Sequence, residues 1–139
     1  MADNVATPYY EPGGRVTGRA TGAKVLGKRF VAIAQKKDLG ARELDPAASG
    51  GNVRITQAVA DDPKTWGVAE YDAEDGKTTT VLRGGFVVPI TAGIVLAAGD
   101  FVKPGAGGKA VKAADRATGY GMSLSDSVVD GDAIVSLWH

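Results

Sequence analysis

The sequence predicts an all-β fold, a compact β-barrel or β-sandwich with an extended N-terminal arm and a long irregular loop. Two observations lead there. Short apolar runs recur along the chain, and none sustains the 3.6-residue period of an amphipathic helix. The 20 glycines among 139 residues fall largely between those runs, where a chain of short strands needs its turns. A hydrophobic content of 44% and a formal net charge of zero argue against the other reading of abundant glycine, disorder.

The first element is the arm. Residues 1–14 have no periodicity and end in Pro12-Gly13-Gly14, where Pro12 fixes its own φ and biases Glu11 toward an extended conformation. The single β-rich domain then runs over residues 15–139. Val16 to Ala20 and Phe30 to Ala34 read as strands on either side of a turn-rich stretch, Thr21 to Gly27. Residues 36–52 are polar and broken by Gly40, Pro46, Gly50 and Gly51, which makes them the long loop. Val53-Arg54-Ile55-Thr56-Gln57 alternates apolar and polar as a half-buried strand does.

Asp61-Asp62-Pro63 turns the chain into the strand Trp66 to Tyr71, and Asp72 to Gly76 turns it again into Lys77 to Arg83, rich in threonine and valine. Phe86 to Ile90 follows Gly84-Gly85, and Pro89 places it at a sheet edge or a bulge. Ala92 to Gly99 reads as a tight loop or a short helical turn. Phe101 to Lys103 and Ala110 to Lys112 flank Pro104 to Lys109 as a hairpin. Ala117 to Ser123, a turn at Asp130-Gly131-Asp132 and the strand Ala133 to Trp138 complete the chain. A faint internal echo sets Gly67-Val68-Ala69 and Val81-Leu82 against Gly119-Tyr120-Gly121 and Ser136-Leu137, at offsets of 52 and 55 residues.

Composition narrows the function. The length suits one domain with a core of its own. With no cysteine, disulfides, thiolate metal sites and cysteine nucleophiles are excluded. No run of 18 apolar residues offers a membrane span, and Met1-Ala2-Asp3-Asn4 lacks the pattern of a signal peptide, so synthesis in the cytosol is expected. Residues 1–60 carry nine Lys/Arg against five Asp/Glu, and residues 61–139 carry seven against eleven. That asymmetry fits either complementary faces in an assembly or two solvated surfaces, and zero net charge does not suit a general nucleic-acid binder.

Catalytic chemistry lacks its parts. The sole histidine, His139, is the last residue, a poor place for a general base or a metal ligand. Glu70, Asp72, Glu74 and Asp75 cluster, but on a turn with little apolar sequence to raise a carboxyl pKa. Asp126, Asp130 and Asp132 miss the spacing of a calcium loop and read as a turn. Gly105 to Ala110 fails as a phosphate loop, because Lys103 and Ala110 stand where glycine and a hydroxyl residue are required. Arg15, Arg19, Lys24, Lys28 and Arg29 lack the interleaved aromatics of a single-strand binder. No enzyme activity, cofactor or metal is expected.

The order of residues resembles a family of tailed-bacteriophage capsid decoration (cement, or head stabilisation) proteins. The resemblance runs through Tyr10-Glu11-Pro12-Gly13, Val16-Thr17-Gly18-Arg19-Ala20, Gly27-Lys28-Arg29-Phe30-Val31, Asn52-Val53, Gly67-Val68-Ala69, Tyr71-Asp72 and Val81 to Gly85. It is strongest over Val88 to Gly93, Ala97 to Val102 and Gly107 to Ala110. It implies a structural virion protein on the outer surface of the mature capsid, bridging subunits of the major capsid protein at three-fold or quasi-three-fold positions. It further implies a homotrimer on the capsid, with no direct nucleic-acid or membrane contact. The tyrosine pair on the arm suits an anchor in a partner's groove, and Tyr9, Tyr10, Pro12 and Arg15 are the candidate capsid contacts. Two other classes stay open: a tail-tube or fibre domain, and a small glycan-binding β-domain using Trp66 and Tyr71 beside the acidic cluster.

Overall fold

The computed structural model describes residues 4–12, 15–34 and 53–138, and among these described residues it has ten strands and no helix longer than one 3-10 turn. The expected long loop, residues 36–52, lies outside the described residues, as does Gly13. Strands β1 (Val16–Ala20), β2 (Phe30–Ile33), β3 (Val53–Gln57), β4 (Thr65–Ala69) and β5 (Thr78–Leu82) close a barrel in the order β1-β3-β2-β4-β5. Its one parallel ladder joins β1 to β3, from Gly18 opposite Val53 to Ala20 opposite Ile55. The rest is antiparallel.

Strands β6 (Val87–Thr91), β7 (Phe101–Pro104), β8 (Ala110–Lys112), β9 (Gly121–Ser123) and β10 (Asp132–Leu137) form a second sheet, ordered β6-β10-β9-β7-β8. Pro89 sits in β6, at the end of this sheet, where a residue without an N–H is tolerated. Residues 92–99 are a loop rather than a helical turn, tied by a bridge between Leu96 and Ser127. The hairpin of β7 and β8 is joined by the 3-10 turn Ala106–Gly108.

The second sheet repeats the circuit of the first. Each strand from β6 to β10 pairs as its counterpart from β1 to β5 does, and the seam equivalent to β1–β3 is reduced to the single parallel bridge Ala92–Ala110. Registers coincide residue for residue. Phe30 faces Val68 and Val31 faces Gly67, as Phe101 faces Met122 and Val102 faces Gly121. Val68 faces Leu82 and Ala69 faces Val81, as Met122 faces Ser136 and Ser123 faces Val135. A side-chain contact repeats too: Asp72 accepts the Gly27 N–H at 2.9 Å and Asp126 accepts that of Ala98 at 2.9 Å. The echo in the sequence is therefore a true repeat with its register corrected, since Gly67 corresponds to Gly121 and not to Gly119.

Two apolar clusters hold the molecule. One fills the first barrel with Ala20, Val25, Val31, Ile55, Ala69, Ala73 and Val81. The other is shared: Phe30, Ala32, Val68 and Leu82 of the first unit pack with Phe86, Val88, Ile90, Leu96, Val102, Val135 and others of the second. Successive residues of β2, β4 and β5 thus enter different clusters, so these strands are buried on both faces. The charge asymmetry of the sequence is partly consumed inside the chain, where Arg15 pairs with Glu70, Lys24 with Glu74 and Lys28 with Asp132.

Candidate docking surface

The N-terminal segment is strapped across both units by its backbone. The Ala6 N–H donates to the Glu70 carbonyl at 2.6 Å, and Ala6 is wholly buried in the shared cluster. Further on, the Tyr9 N–H donates to the Val87 carbonyl at 2.6 Å and the Val87 N–H donates back to Tyr10 at 3.1 Å, so the strap lies along the free edge of β6. An edge strand covered in this way no longer offers its hydrogen-bonding groups to another chain.

The four candidate contact residues are placed differently by this arrangement. Tyr9 and Tyr10 are pinned through their backbones while their side chains remain 70% and 60% exposed. A pre-ordered, exposed pair of tyrosines loses little conformational entropy on docking. Pro12 packs over Gly85, whose φ of +96° suits glycine in the link between the two units. Arg15 holds the strap to the first barrel, its guanidinium 2.7 Å from both Glu11 and Glu70. Hydrogen bonding to Glu11 first, and to Glu70 as well, holds its pKa above the ordinary arginine value.

Gly27 makes the strap possible, because a Cβ there would overlap the Asn4 carbonyl oxygen and lie 2.7 Å from the Tyr71 Cα. Replacing Gly27 with Ala is expected to lift residues 4–8 off the barrel and to cost about 1–3 kcal/mol, the usual penalty of overpacking. Faster proteolytic clipping near the N-terminus, with a lowered Tm, would report it.

The other charged groups singled out in the sequence have structural partners. Arg19 donates to the Gly76 carbonyl at 2.6 Å and Arg29 to that of Gly107 at 3.2 Å. In the acidic cluster, Glu70 is held by Arg15, Glu74 lies 3.2 Å from Lys24, and Asp75 accepts the Gly22 N–H. Lys109 lowers the pKa of Asp130 by a 2.7 Å hydrogen bond. The cleft between the units sets Lys103 2.6 Å from Asp61, and among the described residues no group of three His, Cys, Asp or Glu side chains could hold a metal. The Trp66 ring carries the Arg83 guanidinium 4.8 Å from its centroid, which occupies a face that a stacking sugar would need.

Sequence reasoning missed one surface. Ile94, Val95, Leu124, Val128 and Val129 are large apolar residues 40–69% exposed, all in the second unit. The signal was present: Val128-Val129 directly precedes Asp130-Gly131, where a solvated turn calls for polar residues.

No protein-family model matches the chain, and no curated protein matches it. A solved structure does: the crystal structure of the head fibre gp8.5 N base of bacteriophage phi29 superposes with a TM-score of 0.64. The alignment covers 89% of this chain and 92% of that one at 21% sequence identity. At that identity the likeness establishes a shared fold, over nearly the whole of both chains.

Proposed function

We propose that this chain is a structural protein of a tailed-phage virion, seated on the outer surface of the head, and not an enzyme. The observation that carries the reading is the fold shared with a head-fibre base across almost its full length. The residue order that resembles capsid decoration proteins is a second support, and both lead to the same place on the particle. The fold favours a fibre-base module over a tail-tube domain. The sequence resemblance favours a cement that bridges major capsid subunits at three-fold or quasi-three-fold positions and, by binding only the assembled lattice, stabilises it through linkage.

In this reading residues 1–14 form the head-engaging arm and residues 15–139 the body. Tyr9 and Tyr10 touch the capsid, with Pro12 and Arg15 beside them. Deleting residues 1–11 would also remove Ala6 from the core, so the sharper variant is Tyr9→Ala/Tyr10→Ala, which leaves the backbone strap in place. One aromatic anchor at a hot spot contributes about 2 kcal/mol or more, so head affinity of the double variant should fall at least about 30-fold, and about 1,000-fold if both tyrosines are anchors, with Tm little changed.

Co-sedimentation with undecorated mature heads and with unexpanded proheads tests the reading. Saturable binding to mature heads is expected, and raised resistance of those heads to heat would identify the cement form. Binding without added resistance would identify the fibre-base form. Absence of binding to either particle would reject a place on that head, and unchanged affinity of the double variant would reject the tyrosines.

A further inference from the structure

We propose that the apolar tip of the second unit is a docking groove for an extended peptide segment of a different protein, one that carries an apolar side chain beside a lysine or arginine. The internal repeat supplies the control. In the first unit the loop before β2 is bridged to the loop before β5 by Val25 and Ala73; in the second, Leu96 and Ser127 make the same bridge. The mutual backbone hydrogen bonds at these bridges match, at 2.8 and 2.9 Å in the first unit and 3.0 and 2.9 Å in the second. The residue that holds each tip in shape is also retained, Asp72 in one and Asp126 in the other. Neighbouring positions can therefore be compared directly.

Where the first tip has Lys24 and Glu74, the second has Val95 and Val128. Lys24 and Glu74 form an ion pair at 3.2 Å, whereas Val95 and Val128 are 68% and 69% exposed and line one groove of about 610 Å³ together with the buried Leu96. The ion pair shows that folding does not require apolar residues at these positions, and adjoining exposed apolar side chains mark a contact. A third position differs as well. Ala73 of the first bridge becomes Ser127, whose hydroxyl is buried with no hydrogen-bond partner among the described residues. Such an orphan is unfavourable to the free protein and calls for a reason. Ser127 borders the groove, and a serine hydroxyl turns among three staggered positions, so a peptide backbone seated there gives it a partner.

Charge decides the occupant. In the first tip Lys24 also lies 3.8 Å from Asp72, so the retained aspartate has a cation beside it. In the second tip Val95 stands in place of that lysine, and among the described residues no lysine or arginine lines the groove or pairs with Asp126. Asp132, the other carboxylate on the groove, is held by Lys28 at 3.0 Å. The tip therefore lacks apolar cover for two valines, a hydrogen-bonding group for Ser127 and one cation for Asp126. A peptide with an apolar side chain next to a lysine or arginine supplies all three. A second copy of the tip does not, because it brings a second Asp126 and no cation, and like charges brought together select against that pairing. An apolar small molecule supplies no cation either, and walls as exposed as Val95 and Val128 do not enclose one.

This docking goes beyond the head reading and is tested without heads. The full chain is titrated in two-dimensional NMR with end-blocked tetrapeptides, Lys-Leu-Val-Lys, Glu-Leu-Val-Glu and Lys-Ser-Ser-Lys, up to about 10 mM. Saturable shifts at Val95, Ser127 and Val128 are expected with the first peptide and none with the third. The second should bind about 10-fold more weakly, since an exposed ion pair counts for at most about fivefold and a like-charge contact subtracts a similar amount. Val128→Ser should weaken the first peptide about 10-fold by removing apolar cover, and Ser127→Ala about fivefold by removing the hydroxyl, both at unchanged Tm. Asp126→Asn, which keeps an acceptor for the Ala98 N–H, should bring the lysine and glutamate peptides to within about twofold of each other. Absence of saturable shifts at the groove, or equal affinity of wild type for the lysine and glutamate peptides, would overturn the proposal. So would a mass that rises with concentration in the wild type and not in Val128→Ser, which would assign the tip to copies of this chain.

Discussion

Phe30→Ala is expected to cost about 3–5 kcal/mol, the range for truncating a fully buried aromatic side chain. Phe30 is 1% exposed, belongs to the cluster shared by both units, and packs against the Tyr120 ring with centroids 6.0 Å apart. Its carbonyl accepts the Ala58 N–H at 3.0 Å and the Gln57 Nε2 at 2.9 Å. Gly108 lies close by, at a φ of +75°, and a Cβ on it would come within 2.5 Å of the same carbonyl. Collapse around the cavity is therefore resisted by backbone on one side. For a chain of this size a loss of that magnitude lowers Tm by about 10–20 °C. Phe101, its counterpart in the second unit, is half-exposed and covered by the Trp138 ring at 5.8 Å. Phe101→Ala should cost about 1–2 kcal/mol, in proportion to the smaller area it buries. Thermal denaturation of both variants measures the contrast. Equal losses at the two positions would show that the shared cluster does not hold the units together.

Gly67→Ala and Gly121→Ala should each cost about 1–3 kcal/mol, against the gain of about half a kilocalorie that Gly→Ala usually brings in a strand. The reason is the same at both sites. A Cβ on Gly67 would lie 2.6 Å from the Leu82 carbonyl oxygen and 2.7 Å from Val81 Cγ1. A Cβ on Gly121 would lie 2.6 Å from the Ser136 carbonyl oxygen and 2.7 Å from Val135 Cγ1. The clash is with the backbone of the neighbouring strand, so relief requires β4 to part from β5, or β9 from β10. The two sites are in different units, and the double variant should show additive losses in chemical denaturation. A neutral effect at either glycine would mean that its neighbouring strand yields easily, and the strands would then be less tightly registered than the repeat implies.

Strand positions were legible because they rest on local chemistry. Val53–Gln57 alternates, Thr78–Leu82 is built from residues that fit a pleated surface, and the Pro104 to Lys109 stretch carries turn residues. The duplicated architecture was obscured by unequal spacing. Phe30 and Phe101 stand 71 residues apart, but Gly67 and Gly121 only 54, because the connection from β2 to β3 is far longer than the 3-10 turn that joins β7 to β8. No single period survives such an insertion, so the echo was read two residues out of register at the glycine.

Of the candidate site, Tyr9 and Tyr10 could be named from sequence because an unstructured, aromatic stretch stands out. Their backbone ladder to Val87 could not, since it pairs residues nearly eighty apart. Arg15 is a candidate capsid contact in the sequence, and its ion pair with Glu70, 55 residues away, is visible only in the fold. The valine tip was overlooked because residues next to an Asp-Gly turn are read as part of the turn, and exposure is a property of the assembled surface.

The sequence by itself determined an all-β chain without cysteine or a usable histidine, and the order of its strands and turns. These follow from side-chain shape, backbone freedom and composition, which act over a few residues. Only the tertiary structure decided that strands such as β2 are buried on both faces, that two like units share one core, and that the first tip is charged while the second is apolar. Those depend on which distant segments meet, and the free energy that selects among such meetings lies in packing and burial between them.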